Sequence, residues 1–215
     1  MGINNFLTSR QGVEDICEYL FVGHPDAKTS KEIIQEKEYF IKTQEDPLAI
    51  VSYPHLTFFK FYCPGGMEGV ISRMLQHVTS NAFSFEVTLD RFTAFPKHAI
   101  VLTVEDPSPF LELARRFQPI ADYISNSGYL CSRLVTCPHV TIARNLSLQT
   151  YKNATRAYAE RNYYASFVME ELVLLRRQQG QDKYENAQIF RFKPMEMQYE
   201  PVTKTRSAVQ KSLFQ

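Results

Sequence analysis

One five-residue pattern occurs twice in this chain, as Pro54-His55-Leu56-Thr57-Phe58 and as Pro138-His139-Val140-Thr141-Ile142. Each copy reads proline, histidine, apolar, threonine, apolar. Each also stands among apolar and β-branched neighbours, the composition of a strand. Side chains alternate faces along a strand, so His55 and Thr57 point one way while Leu56 and Phe58 point the other. The same holds for His139 and Thr141 against Val140 and Ile142. The apolar residues anchor each strand in a core and leave an imidazole and a hydroxyl side by side on the opposite face. The copies lie 84 residues apart, about one structural half each. Paired about a pseudo-twofold axis, two such strands bring two histidines and two threonines around one point.

A single copy would read as a core histidine held by a backbone carbonyl. Two accidental copies among five histidines are expected in only on the order of one in 10⁵ to 10⁶ chains at average residue frequencies. The repeat therefore argues for a site.

The 215 residues fit one large domain or two fused lobes, and 44% hydrophobic content supplies a packed interior. A net charge of +1 argues against wrapping of long duplex nucleic acid, although a short oligonucleotide or mononucleotide needs only a few local donors. Cys17, Cys63, Cys131 and Cys137 lack CxxC or zinc-type spacing, so neither a disulfide framework nor a structural metal is expected. Cys137 reads as a small core residue. No apolar stretch approaches bilayer-spanning length. Met1-Gly2 starts like a myristoylation signal, but position six is Phe6. The expectation is a monomer in the reducing cytoplasm, with no membrane association and no cofactor.

Along the chain, residues 16–22 read as a first strand. Thr29 with Glu32 has capping-box spacing, and a helix with Ile33, Ile34, Phe40 and Ile41 as its apolar stripe follows, ended by Asp46-Pro47. Residues 48–62 read as the strand of the first motif, and Pro64-Gly65-Gly66 as a turn. Met67, Val70, Ile71, Met74, Leu75 and Val78 form a core-facing helical stripe, with His77 solvated. Two or three strands are expected within 83–89, 91–95 and 98–104, then a helix over 108–125 that Pro119 kinks or splits. After the second motif strand, Ser147 caps a helix through Asn162, and two last strands lie near 166–176 and 184–192. The fold class expected is α+β, with two similar lobes whose antiparallel sheets form a central cleft and helices outside. The domain spans 1–193, and 194–215 is a polar tail.

The paired His-x-Thr-x motifs resemble the two-histidine (2H) phosphoesterase superfamily of 2′-5′ RNA ligases and cyclic phosphodiesterases. CPHVTIARNL is especially close to the bacterial RNA-ligase-like branch. FTAFPKHAIVLTVED and EELVLLRRQQGQDKYENAQIFRF resemble that branch's central hairpin and closing strands, so the likeness covers residues 14–193. It implies His55, Thr57, His139 and Thr141 as catalytic residues and RNA ends or small nucleotides with a cyclic phosphate or 2′-5′ linkage as partners. The residue types agree. Near neutral pH one imidazole can remove a nucleophile's proton while the other protonates the departing ribose oxygen. The threonine hydroxyls can donate to phosphate oxygens, and no metal is needed. His139 as base and His55 as acid in hydrolysis is the preferred assignment, and the sequence leaves the exchanged roles open.

Arg144 matches the branch's motif, yet strict alternation points it away from His139. It supports the strand, reaches the cleft past a bend, or is solvated. Arg176, Lys183 and Tyr184, around the last hairpin, are candidates to meet a phosphate or stack on a base. Two competing readings are a non-catalytic nucleotide-binding module and a metal hydrolase or lyase. The latter would use both imidazoles with His24, His98 or Asp90 as third ligand.

Overall fold

The computed structural model describes residues 15–46, 52–95, 98–131 and 134–195. Outside them lie Met1-Gly2, Phe6, Pro47, the expected strand start at 48 and the tail beyond Met195.

Helix α1 (Ala27–Gln44) follows strand β1 (Ile16–Gly23). Its cap is Asp26, whose carboxylate accepts from the Thr29 N–H at 2.7 Å, rather than the expected Thr29–Glu32 box. A short acceptor side chain directly after Pro25 reaches the orphan N–H groups first. The buried stripe is Ile33, Lys37 and Phe40, while Ile41 is exposed. A lysine thus sits in the middle of the buried face.

Strand β2 (Leu56–Pro64) runs through a 3₁₀ turn (Gly65–Met67) into α2 (Glu68–Thr79). Of the stripe expected there, Ile71 and Leu75 are buried and Val70 is exposed. Of the two or three strands expected over 83–104 the structure forms two, and residues 83–95 are continuous. They hold one, β3 (Phe85–Phe95), with a bulge where Arg91 takes φ 52° and the register slips between Asp90 and Phe92. β4 (Ala99–Val104) pairs with it. The next helix is split before Pro119 into α3 (Ser108–Arg116) and α4 (Gln118–Asn126), because proline is accommodated in a first turn but not mid-helix.

β5 (His139–Ala143) carries the second motif. Ser147 caps α5 (Leu148–Ala159) by accepting from the Thr150 N–H at 3.1 Å. The segment expected as one strand over 166–176 breaks at Glu170 into β6 (Tyr164–Met169) and β7 (Glu171–Gln178), and β8 (Glu185–Arg191) closes the fold.

All pairings between these strands are antiparallel, in one eight-stranded sheet of order β6-β3-β4-β5-β2-β1-β7-β8. Its left and right halves mirror one another about the β5–β2 junction. In a flat sheet β6 and β7 would stand six spacings apart, about 29 Å. Glu170 alone links them, a reach of about 7 Å, so the two half-sheets must fold toward each other. Gly23 tightens that closure, since a Cβ there would overlap Met169 Sδ.

The core lies on the face away from the fold's cleft. Phe58 stacks on Phe110 of α3 with centroids 3.9 Å apart, and Phe21 meets Phe117 and Phe190 edge-on. All five rings are buried, each worth about 1.5–3 kcal/mol in area removed from water. Burying the apolar face this firmly holds the polar face of β2 and β5 in place.

Candidate active site

β2 and β5 meet, among the described residues, at one bridge with Leu56 opposite Val140. In an antiparallel pair this register sets His55 beside Thr141 and Thr57 beside His139, on the face opposite Leu56 and Val140. All four side chains line one cleft of about 910 Å³.

The two histidines are held alike. His55 Nδ1 lies 2.7 Å from the Tyr53 carbonyl, and His139 Nδ1 lies 2.8 Å from the Cys137 carbonyl. A carbonyl only accepts, so Nδ1 carries the hydrogen and each neutral ring leaves its lone pair on Nε2. The motif prolines explain the geometry. Pro54 and Pro138 restrict the preceding residue to extended backbone, which turns the carbonyl at i−2 toward the ring. Cys137 is exposed rather than in the core, because β5 begins only at His139 and Cys137 belongs to the loop before it.

Strict alternation fails just after each threonine. Thr57 pairs with Val22 and Phe59 with Phe21, leaving Phe58 as an extra residue. Thr141 pairs with Val101 and Ala143 with Ile100, leaving Ile142 extra. These matching bulges bury two consecutive residues in each strand and return the next one to the cleft. Those next residues are Lys60 and Arg144, and both line the cleft. Of the readings open for Arg144, the structure selects the bend. Lys60 escaped the sequence reading, although the repeat in fact extends to seven residues, PHLTFFK and PHVTIAR.

The other substrate-binding candidates divide. Tyr184 lines the cleft. Arg176 does not. It pairs with Tyr19 in register, on the opposite face, and its Nη1 lies 3.1 Å from Glu68 of α2. Lys183 is exposed on the β7–β8 hairpin and is not among the cleft-lining residues. The cation on the cleft side of β7 is Arg177, opposite Glu18 in register. Glu18 accepts from Arg177 Nε at 3.1 Å and from the Tyr184 hydroxyl at 2.6 Å, and it also pairs with Lys60. Burial alone would raise its pKa, but the hydrogen bonds from Lys60, Tyr184 and Arg177 outweigh it and hold the carboxyl at about 2. This hub joins residues 159 and 166 positions apart, with no local sequence signal.

Of the three candidate third metal ligands, only His24 comes to the cleft. Its ring lies 6.4 Å from that of His55, with Nδ1 2.8 Å from the Pro54 carbonyl. His98 turns to the Leu146 carbonyl, and Asp90 binds Arg91. Tyr53 and Phe95 offer ring faces at the rim, Phe95 with its centroid 4.6 Å from that of His139.

Lys37 reaches the site from below. Its Nζ donates to the Ser52 and Thr141 carbonyls, both at 2.6 Å, tying α1 to the approach of one motif and the strand of the other. It is 3% exposed, and burial pushes its ammonium down to about 8. His55 is pushed down to about 4, chiefly by burial. The Tyr53 carbonyl opposes that shift, while the charges of His24, Lys37 and Arg144 reinforce it. Burial and these charges therefore hold His55 neutral, the opposite of the form an acid needs.

Residues 25–181 match the family model of the 2′-5′ RNA ligase superfamily. The chain belongs to this superfamily. Its resemblance to the two-histidine phosphoesterases, first visible in the repeated motif, holds for the fold as well. The structure of Escherichia coli LigT complexed with 3′-AMP aligns with a TM-score of 0.62 at 17% identity, over 82% of this chain and 98% of that one. LigT complexed with NADP+ aligns at 0.63 with the same identity and coverage. TT0787 of Thermus thermophilus aligns at 0.60 and 14% identity, again over 82% and 98%. At these identities the likeness concerns the superfamily's α+β architecture. No curated protein matches the chain by sequence. Among the described residues, no helix is long and apolar enough to cross a membrane.

Proposed function

We propose that the protein is a phosphoesterase acting on 2′,3′-cyclic phosphate ends of RNA or nucleotides, by hydrolysis, by reversible 2′-5′ joining, or by both. One observation carries the reading: two His-Thr pairs converge on a single cleft with both imidazoles bonded through Nδ1, which leaves two Nε2 atoms for one phosphate. LigT has been crystallised with 3′-AMP and with ATP, which supports a phosphate-bearing nucleotide as the ligand class.

In hydrolysis a water attacks phosphorus while His139 Nε2 takes its proton. The bond from phosphorus to one ribose oxygen breaks, and His55 Nε2–H protonates that oxygen, leaving a ribose hydroxyl and a phosphate monoester. Thr57 and Thr141 donate to the non-bridging oxygens, and Arg144 adds positive charge beside them. Burial holds His55 neutral, so its proton arrives with the substrate. A phosphate anion beside Nε2 offsets His24, Lys37 and Arg144 and draws the proton in. For joining, a 5′-hydroxyl replaces water and the product carries the 2′-5′ bond. We expect a monomer working in the cytoplasm, through chemistry that runs on the chain's own side chains.

The test is a panel of 2′,3′-cyclic nucleotides and a cyclic-phosphate-ended RNA, incubated with and without chelator. Turnover that persists in chelator is the expected result. Saturable nucleotide binding without turnover would favour the non-catalytic module. Activity lost in chelator and restored by a divalent metal would favour a metal hydrolase.

A further inference from the structure

A second cavity of about 500 Å³ adjoins the cleft along the same half-sheet. Its lining includes Glu18, Tyr62, Tyr129, Leu130, Arg177 and Gln178. The cleft's lining includes Lys60 and Tyr184. Glu18 bonds to Lys60 and Tyr184 on one side and to Arg177 on the other, so the hub is the wall that the two cavities share. Lys60 lies three residues beyond Thr57 on β2, and Tyr62 two further, a run of roughly 17 Å leading away from the phosphate-binding hydroxyl.

We propose that this second cavity is a subsite for the nucleotide on the 5′ side of the reacting end, so that the preferred substrate is an oligoribonucleotide rather than a mononucleotide. The proposal rests on the phosphoesterase reading of the cleft. On the strand that carries it, a cyclic phosphate terminates the 3′ end, so only the 5′ neighbour of that strand can extend beyond the reacting end. The volume lies within the range of small-molecule sites. Tyr62 and Tyr129 supply rings on which a base can stack, and Leu130 stands 72% exposed beside them. The wall carries two cations against one carboxylate, a net positive charge where the linking phosphodiester would cross. Lys60 stands at that crossing as the counterpart of Arg144 in the other half. The amide of Gln178 adds a donor and an acceptor for a base edge.

The experiment compares kcat/KM for adenosine 2′,3′-cyclic phosphate and for the adenylate dinucleotide ending in a 2′,3′-cyclic phosphate. Anisotropy of a labelled dinucleotide bearing a 3′-phosphate, competed with 3′-AMP, gives the binding side. The dinucleotide should be favoured at least about tenfold, the scale of one base stacked on an aromatic side chain. That ratio should fall toward one in Tyr62→Ala and in Leu130→Asp, the latter at an exposed position where folding is not at stake. Mononucleotide turnover without length preference, or a ratio unmoved in both variants, overturns the subsite and leaves the phosphoesterase reading standing. Tighter dinucleotide binding without turnover supports the second cavity as a nucleotide subsite and overturns the phosphoesterase reading, and with it the substrate preference. Absence of binding and turnover together overturns both.

Discussion

Leu56 and Val140 face each other across the β2–β5 junction, each wholly buried. Because neighbours on a strand alternate faces, that one pair puts His55 beside Thr141 and Thr57 beside His139 on the cleft side. Diagonal neighbours in this arrangement stand on the order of 7–8 Å apart at the backbone, which is the spacing that the proposed shared phosphate requires.

His55→Ala and His139→Ala should each lower kcat on a cyclic-phosphate substrate at least roughly 100-fold, the lower end for a general acid or base. Thr57→Val and Thr141→Val should lose less, each removing one donor to the phosphate. Steady-state kinetics on variants with wild-type circular dichroism checks the order. Near-normal kcat in either histidine variant would remove the two-histidine scheme.

Ligand binding should carry a proton onto His55. Burial holds the ring's pKa down at about 4, and a phosphate anion beside Nε2 should move that value upward. An NMR titration of the ring with and without 3′-AMP reads the shift directly. An unmoved titration would transfer the acid role to His139 and the base role to His55.

His55 also sets a pH dependence of stability. Its folded pKa, about 4, lies below the ordinary value of 6.5, so between those values the unfolded chain binds more protons. The neutral ring is fully tolerated above pH 6.5, and stability is lost as pH falls toward 4. At pH 4.5 the loss should be roughly 2.5 kcal/mol relative to pH 7. Urea unfolding of wild type and His55→Gln at both pH values measures it. Equal acid losses in the two proteins would contradict the assignment.

Lys37→Met should lower kcat by roughly 10- to 100-fold with little change in KM, since the Thr141 strand loses the donor that seats it. Stability should change by no more than about 1–3 kcal/mol, because two carbonyls lose a partner while a desolvated charge is also removed. The His55 titration should move upward, as one of the charges depressing it has gone. Unchanged kcat together with an unchanged His55 titration would reduce Lys37 to a packing residue.

Much of the fold is legible in the sequence because its signals are local. The Pro119 break and the Ser147 cap depend on a few adjacent residues, and both occur where expected. The first helix is capped three residues before Thr29 because two acceptor-bearing positions compete and the nearer, Asp26, reaches the free N–H groups. The run 166–176 reads as one strand by composition. Only the curl of the sheet, which gives its two parts different partners, breaks it at Glu170.

By itself the sequence determined that His55 shares a polar face with Thr57, and His139 with Thr141, because strand alternation is a property of each segment alone; the register of Leu56 opposite Val140 joins the two faces. Tertiary structure decided what surrounds them. Paired bulges, visible only in the pairing with β1 and β4, turn Lys60 and Arg144 into the cleft. The register of β7 against β1 sends Arg176 to the helices and Arg177 to Glu18, a one-residue choice that composition leaves open. Burial, not sequence context, makes Lys37 a clamp and holds His55 neutral. Alternation acts over two residues, whereas register and burial depend on strands brought together from opposite ends of the chain.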